Sequence, residues 1–405
     1  MIGMRNRSFY TSAAIGLGIF SLGIVLLGAG AMLQGQNKRN AASDKPPIYK
    51  VDPFWPKPLP NKWAMQQIVD ISIDKDDHIW MINRADPRSD EMGAQTNPPR
   101  AECCVLGPEI IEFAQDGSVM KAWGHKNFVP GWPNRLQSFI VDRDGNVWIS
   151  GTDPGDSIIK LDGDGKLLWD FGHRWPKGRE IKQDNQQTEY LMGVEDFELD
   201  MDAREIYVAD GARNKRVLVY DMNTGAFKRG WGGHGVPLSE IDNNPTPEYD
   251  LSGPPPDLKP FAQTIHTIHL SKDGLLYLGE RGADRVSVYK KDGTFVMSFF
   301  VHPSTQARGP DCGGPFGKVG PCGTTFNMSF SADPEQKYLF VADGTNNMVW
   351  IFNRKTGEPA GQFGGAGRYA GQLHWIDTVA TDSKGNIYTG EVEDGKRIQK
   401  FVLAN

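Results

Sequence analysis

A single unit recurs six times along the 405 residues of this chain: an apolar strand, a turn written Asp-x-Asp-Gly-Asn or a variant, and a second strand with an aromatic near its start. The copies are VDISIDKDDHIWMIN around Trp80, SFIVDRDGNVWISG around Trp148, DFELDMDAREIYVAD around Tyr207, HTIHLSKDGLLYLGE around Tyr277, MSFSADPEQKYLFVAD around Phe340 and DTVATDSKGNIYTGE around Tyr388. Apolar and polar residues alternate with period two, so these are antiparallel hairpins and not helices. Most copies continue into a third strand and a further Gly turn, as in IIKLDGDGKLLWDFG and RVSVYKKDGTFVMSFF. Each unit thus offers four strands with an apolar face that it cannot bury alone. Units of this kind, spaced irregularly at roughly 50 to 70 residues, predict an all-β six-bladed β-propeller; a linear solenoid needs shorter, more uniform repeats.

The last copy leaves no room for an outer strand after Phe401, and a ring must leave no open edge. The segment Ile48–Val51 is therefore expected to complete that blade by pairing with Arg397–Val402. Four long inserts, 84–109, 174–190, 235–260 and 302–323, are rich in Pro, Gly and charge and read as loops over one face of the ring, where binding residues collect.

Ahead of the repeats, Arg5 and Arg7 precede an uncharged apolar run from Ala13 to Leu33. This is an export signal: its length favours a retained transmembrane helix at the N-terminus, while Ala29-Gly30-Ala31 offers a cleavage site. The predicted organisation is signal anchor or signal peptide over 1–33, linker over 34–47 and propeller over 48–405, with the propeller periplasmic or extracellular and membrane contact through the N-terminal helix. Four cysteines suit that compartment. Cys312 and Cys322 flank a Gly/Pro-rich loop and are expected to form a disulfide, whereas Cys103-Cys104 is either a vicinal disulfide or two thiols. The net charge of −6, from 44 basic and 50 acidic residues, supplies no basic footprint, so no nucleic-acid partner is expected.

The repeats resemble NHL repeats, and YVADGARNKRVLVYD, HTIHL and LGERGADRVSVY are similar to the lyase domain of the peptidylglycine α-amidating enzymes, over about Trp63 to Phe401. In that family a zinc ion sits in the central channel on three histidines that begin inner strands, with arginines and a tyrosine around the bound hydroxyglycine. The resemblance places the family's arginines at Arg84 and Arg281 as catalytic residues, and one metal-binding histidine at His266. Gln137 and Asp377 stand at the other two histidine positions, Ala212 at the tyrosine and Thr378 at a calcium-binding aspartate. His266, Gln137 and Asp377 thus form the candidate metal set, oxygen-rich and suited to zinc or to a harder ion such as calcium.

Plainer readings stand beside these. His266 can be an inner-strand histidine with its hydrogen bonds satisfied, and His269, three positions on, a packing residue on the opposite side of the strand. Arg84 and Arg281 can bind a substrate carboxylate or form salt bridges to Glu280 or Asp377. Buried in a channel, Asp377 needs a metal, an arginine or a hydrogen-bond donor. The Asp-x-Asp-Gly turns lack the spacing of calcium loops, and His78, His125, His173, His234, His302 and His374 read as singletons in loops or turns. Three functions follow: a lyase-like enzyme acting on a small carboxylate-bearing substrate with a divalent metal in the channel; a non-catalytic module binding a peptide, a glycan or a membrane-associated protein; or a calcium-dependent lactonase. In every case Arg84, Gln137, His266, Arg281 and Asp377, from four blades, should meet at one central cavity, because equivalent places in a repeat fall at equivalent radii.

Overall fold

The structure, a computed structural model, describes residues 45–85, 92–244, 246–247, 251, 258–309, 312 and 322–404. By its contacts the chain divides into Met1–Pro46 and Pro47–Asn405, and the propeller is the second unit. Six four-stranded antiparallel sheets form its blades. The innermost strands, in chain order, are Gln67–Ile73, Leu136–Val141, Asp196–Asp200, Ile265–Leu270, Asn327–Phe330 and Ile376–Thr381, each packed beside the next around the ring. The expected export signal and linker lie outside the described residues apart from the linker's last residues; among the described residues no helix is long and apolar enough to cross a membrane.

The hairpin turns form because a short carboxylate can stand in for backbone acceptors. Asp142 Oδ1 accepts from the backbone N–H groups of Asp144 and Asn146, both at 2.9 Å, and Asp74, Asp162 and Asp382 repeat this arrangement. Large apolar residues from adjacent blades then interlock. One cluster joins Trp80, Ile82 and Ile110 of the first blade to Phe139, Val147 and Ile149 of the second.

A propeller leaves the channel-side edge of each inner strand without a sheet partner, and here neighbouring side chains supply acceptors. Phe139 N–H donates to Asp70 Oδ2 at 2.9 Å, Ile268 N–H to Asp196 Oδ2 at 2.8 Å and Leu270 N–H to Glu198 Oε2 at 3.0 Å. Inner strands therefore carry acidic residues where a buried strand would ordinarily be apolar.

The ring closes as the sequence demanded. Tyr49–Asp52 pairs antiparallel with the last strand, Tyr49 opposite Leu403 and Asp52 opposite Lys400, so the sixth blade is built from both ends of the propeller. The Tyr49 ring lies 5.8 Å from Phe340 and 5.1 Å from Phe363 of the fifth blade. Removing residues 48–52 should lower stability on the order of 3 kcal/mol from lost apolar contact and leave an open edge that promotes association. An unchanged urea midpoint with a monomeric elution profile would contradict this.

Cys312 and Cys322 are bonded to each other as expected, and Cys103 and Cys104 form the vicinal disulfide of the two alternatives. The denatured, unreduced protein should accordingly give no reaction with a thiol reagent, against four thiols after reduction. Free thiol before reduction would count against these pairings.

Candidate functional site

Counting from the first residue of each hairpin turn (Asp74, Asp142, Asp200, Ser271, Ser331, Asp382) puts equivalent side chains in rings around the axis. The residues five positions earlier are Val69, Gln137, Glu195, His266, Phe326 and Asp377. Ten positions later come Arg84, Thr152, Arg281 and Val392 in four of the blades, at or just after the end of the second strand. Except for Val69, these residues line one cavity of about 510 Å³.

All five residues expected at the centre line this cavity: Arg84, Gln137, His266, Arg281 and Asp377. Five more charged groups join them, Arg135, Asp153, Glu195, Arg213 and Glu393, and Ala212 stands on the wall. Of these Glu195 was within reach of sequence reasoning, because it occupies in the third blade the place of Gln137, His266 and Asp377 in theirs. Arg135, Arg213 and Glu393 belong to connecting segments whose phase the repeat does not set.

Arg84 is held by amides and a carbonyl. Its Nη1 donates to Leu136 O at 3.2 Å and Gln137 Oε1 at 3.0 Å, and its Nη2 donates to Gln67 Oε1. Arg281 donates from Nε to Cys322 O at 2.8 Å, and its guanidinium carbon lies 4.5 Å from the Phe326 ring centre. The backbone is tight here: a Cβ on Gly282 would fall 1.7 Å from Gln263 O, so only glycine fits directly after Arg281. Glu280, a partner expected for Arg281, is instead bound to Arg285 by two hydrogen bonds of 3.0 and 2.7 Å. Among the described residues no ion pair within 4.0 Å joins Arg84, Arg135, Arg213 or Arg281 to a carboxylate.

The acids respond to burial. Desolvation raises Glu195 to about 7 and Asp377 to about 6, although the surrounding arginines pull both down. His266 is pushed down to about 3 by burial and by Arg281, so its ring is neutral at physiological pH. Its Nδ1 lies 2.5 Å from Phe326 O, and Nε2 lies 4.0 Å from Glu195 Oε2. Arg84, lowered to about 10 by burial and Arg135, stays cationic.

These shifts have a sign for stability. Glu195 and Asp377 are raised above their unfolded values, so their contribution is full below about pH 4 and declines as pH rises through 6 to 7. Urea unfolding of Glu195→Gln should show a shallower loss of stability across pH 4.5–7 than the parent; identical slopes would contradict the burial of Glu195 as an acid.

His269 does not pack away from the channel. A β-bulge between Ile265 and Thr267 shifts the strand's phase, and His269 lines a second cavity of about 240 Å³ formed by all six inner strands farther along the axis. There its Nδ1 lies 3.6 Å from Glu198 and its Nε2 4.0 Å from Asp196; hydrogen bonding to Glu198 and the nearby carboxylates outweigh burial and raise it to about 9.

No protein-family model matches this chain, and no curated protein sequence matches it.

Proposed function

We propose that the chain is a propeller enzyme whose channel binds a small carboxylate-bearing molecule and performs acid–base chemistry on it, a divergent relative in chemistry of the amidating lyases that its repeats resemble. The observation that carries this reading is the arrangement within the 510 Å³ cavity: four arginines that, among the described residues, have no carboxylate in ion-pair range, set beside four acids of which burial raises two, Glu195 and Asp377. Such a cavity attracts an anion, and a guanidinium fork suits a carboxylate. Arg84 and Arg281, from opposite sides of the ring's first and fourth blades, are the anion-holding pair in this account.

The chemistry that fits is breakdown of an α-hydroxyglycine-type substrate. The carboxylate form of Glu195 takes the hydroxyl proton as the carbon–oxygen double bond forms. The carbon–nitrogen bond breaks with its electron pair going to nitrogen, and protonated Asp377 delivers a proton there, leaving an amide and a glyoxylate-type oxoacid. Neutral His266, with Nδ1 donating to Phe326 O, leaves Nε2 unprotonated 4.0 Å from Glu195 and takes no part in the proton transfer.

A divalent ion fits the cavity less well. Gln137 Oε1 already accepts from Arg84, whose charge opposes a cation at that oxygen. Among the described residues, His266, Glu195 and Asp377 do not bring three ligand atoms within 4.8 Å of one another. Calcium, which the lactonase reading needs, takes six to eight oxygens.

Calorimetric titration of the exported protein with glyoxylate and with an α-hydroxyglycine peptide tests the reading. Binding that weakens at least about 10-fold in Arg281→Ala, the scale of one lost charge-assisted hydrogen bond, is expected. Equal affinity for the carboxamide analogue would contradict it. Binding without turnover would favour the non-catalytic module instead.

A further inference from the structure

Three of the six blades carry the same set at the first turn: an acid, then an aromatic six residues on, paired across the sheet with a third-strand side chain. In the second blade this set is Asp142, Asn146 and Trp148, with Lys160 opposite Trp148; in the sixth it is Asp382, Asn386 and Tyr388, with Lys400 opposite Tyr388. Each has an internal cation. Lys160 Nζ lies 3.7 Å from Asp142 Oδ2, and Lys400 Nζ sits 5.6 Å above the Tyr388 ring.

The first blade departs from this pattern at two places. His78 replaces the asparagine, and Glu112, opposite Trp80, replaces the lysine. An acid thus stands where the sibling blades place a cation. Asp74 Oδ2, His78 Nδ1 and a Glu112 oxygen all lie within 4.8 Å of one another, with His78 Nδ1 3.2 Å from Asp74 Oδ2 and 3.0 Å from Glu112 Oε1. Glu112 is only 4% exposed, and its Oε2 has no hydrogen-bond partner among the described residues. Lys121, opposite Glu112 on the outer strand, instead donates to Asp164 Oδ1 at 2.7 Å.

We propose that Asp74, His78 and Glu112 form a binding site for one zinc-class transition-metal ion on the flank of the first blade, separate from the channel. One imidazole nitrogen and two carboxylates, with a water completing four-coordination, suit zinc and fall short of the oxygen count that calcium takes. Ligand atoms around a tetrahedral zinc stand about 3.3 Å apart, from bonds of roughly 2.0–2.2 Å, close to the two separations found here. The supporting contacts are in place: Asp74 Oδ1 accepts from the backbone N–H of Asp76 and of His78, both at 2.9 Å, and Trp80 Nε1 donates to Asp74 Oδ2 at 3.0 Å. These fix the carboxylate before any ion arrives. His78, with its side chain 28% exposed, leaves a path for entry.

The competing account is a protonated His78 bridging two acids with no metal. Zinc titration of the chelator-treated full-length protein separates the two. Wild type should bind one zinc more than His78→Asn and Glu112→Lys, which recreate the sibling blades, and zinc should raise the unfolding temperature of wild type alone. Affinity at this site should fall by more than about 10-fold, the smallest effect of disturbing a ligand's surroundings. Glu112→Gln keeps the shape and guards against a folding artefact. Equal zinc stoichiometry in wild type and His78→Asn overturns the proposal.

Discussion

Replacing Glu280 with alanine should destabilise the propeller by about 3–5 kcal/mol, the cost of leaving a buried charge without its partner. Glu280 and Arg285 are both fully buried, joined by two hydrogen bonds, and further tied to Ala262 N–H at 3.2 Å and Leu258 O at 2.6 Å. Arg285→Ala should cost a similar amount, because the carboxylate is then stranded in the same solvent-free place. The double replacement Glu280→Leu with Arg285→Met should lose much less than the two single changes added together. Urea midpoints give all three values, and single variants within 1 kcal/mol of wild type, on the scale of an exposed pair, would contradict the account. The same device recurs as Asp210 with Arg216 and Glu391 with Arg397, where the arginine also reaches carbonyls of the inter-blade connection.

Glu195→Gln should lower kcat by about 100- to 10,000-fold, the usual worth of a positioned general base. The pH profile carries a sharper signature. The productive form has Glu195 ionised and Asp377 protonated, the minor of the two singly protonated forms because Glu195 holds its proton more tightly, so activity falls on the acid side as Glu195 gains its proton and on the alkaline side as Asp377 loses its own. With the two acids raised to about 7 and about 6, the profile should be a bell centred between them, and its apparent values belong to the pair. Glu195→Gln should abolish the acid limb. A profile of unchanged shape in that variant would remove Glu195 from the chemistry.

The six turns carried most of the fold into view, because a carboxylate that caps a hairpin and an aromatic that packs between blades leave a pattern a reader can count. The family resemblance reached Gln137, His266 and Asp377, which share one place in the repeat, and the short last blade called for a closing strand at Ile48–Val51, found at Tyr49–Asp52. The resemblance missed Glu195 because a search for histidines passes over an acid at the matching place. His269 was misplaced because alternation assumes an unbroken strand, and a bulge resets the phase. His78 looked solitary because Glu112 meets it only through third-strand pairing, which no local spacing reveals. Arg281 and Glu280 are neighbours in sequence, yet the ion pair formed with Arg285, whose strand runs opposite.

The most direct test of the channel's role is the release of an oxoacid from a peptide ending in α-hydroxyglycine. Purified propeller should produce glyoxylate and the peptide amide in equal amounts, in the presence of chelator, with the rate falling in Arg84→Ala, Arg281→Ala and Glu195→Gln. Turnover that is absent from wild type, or that all three variants retain in full, would contradict an acid–base carboxylate site in this channel.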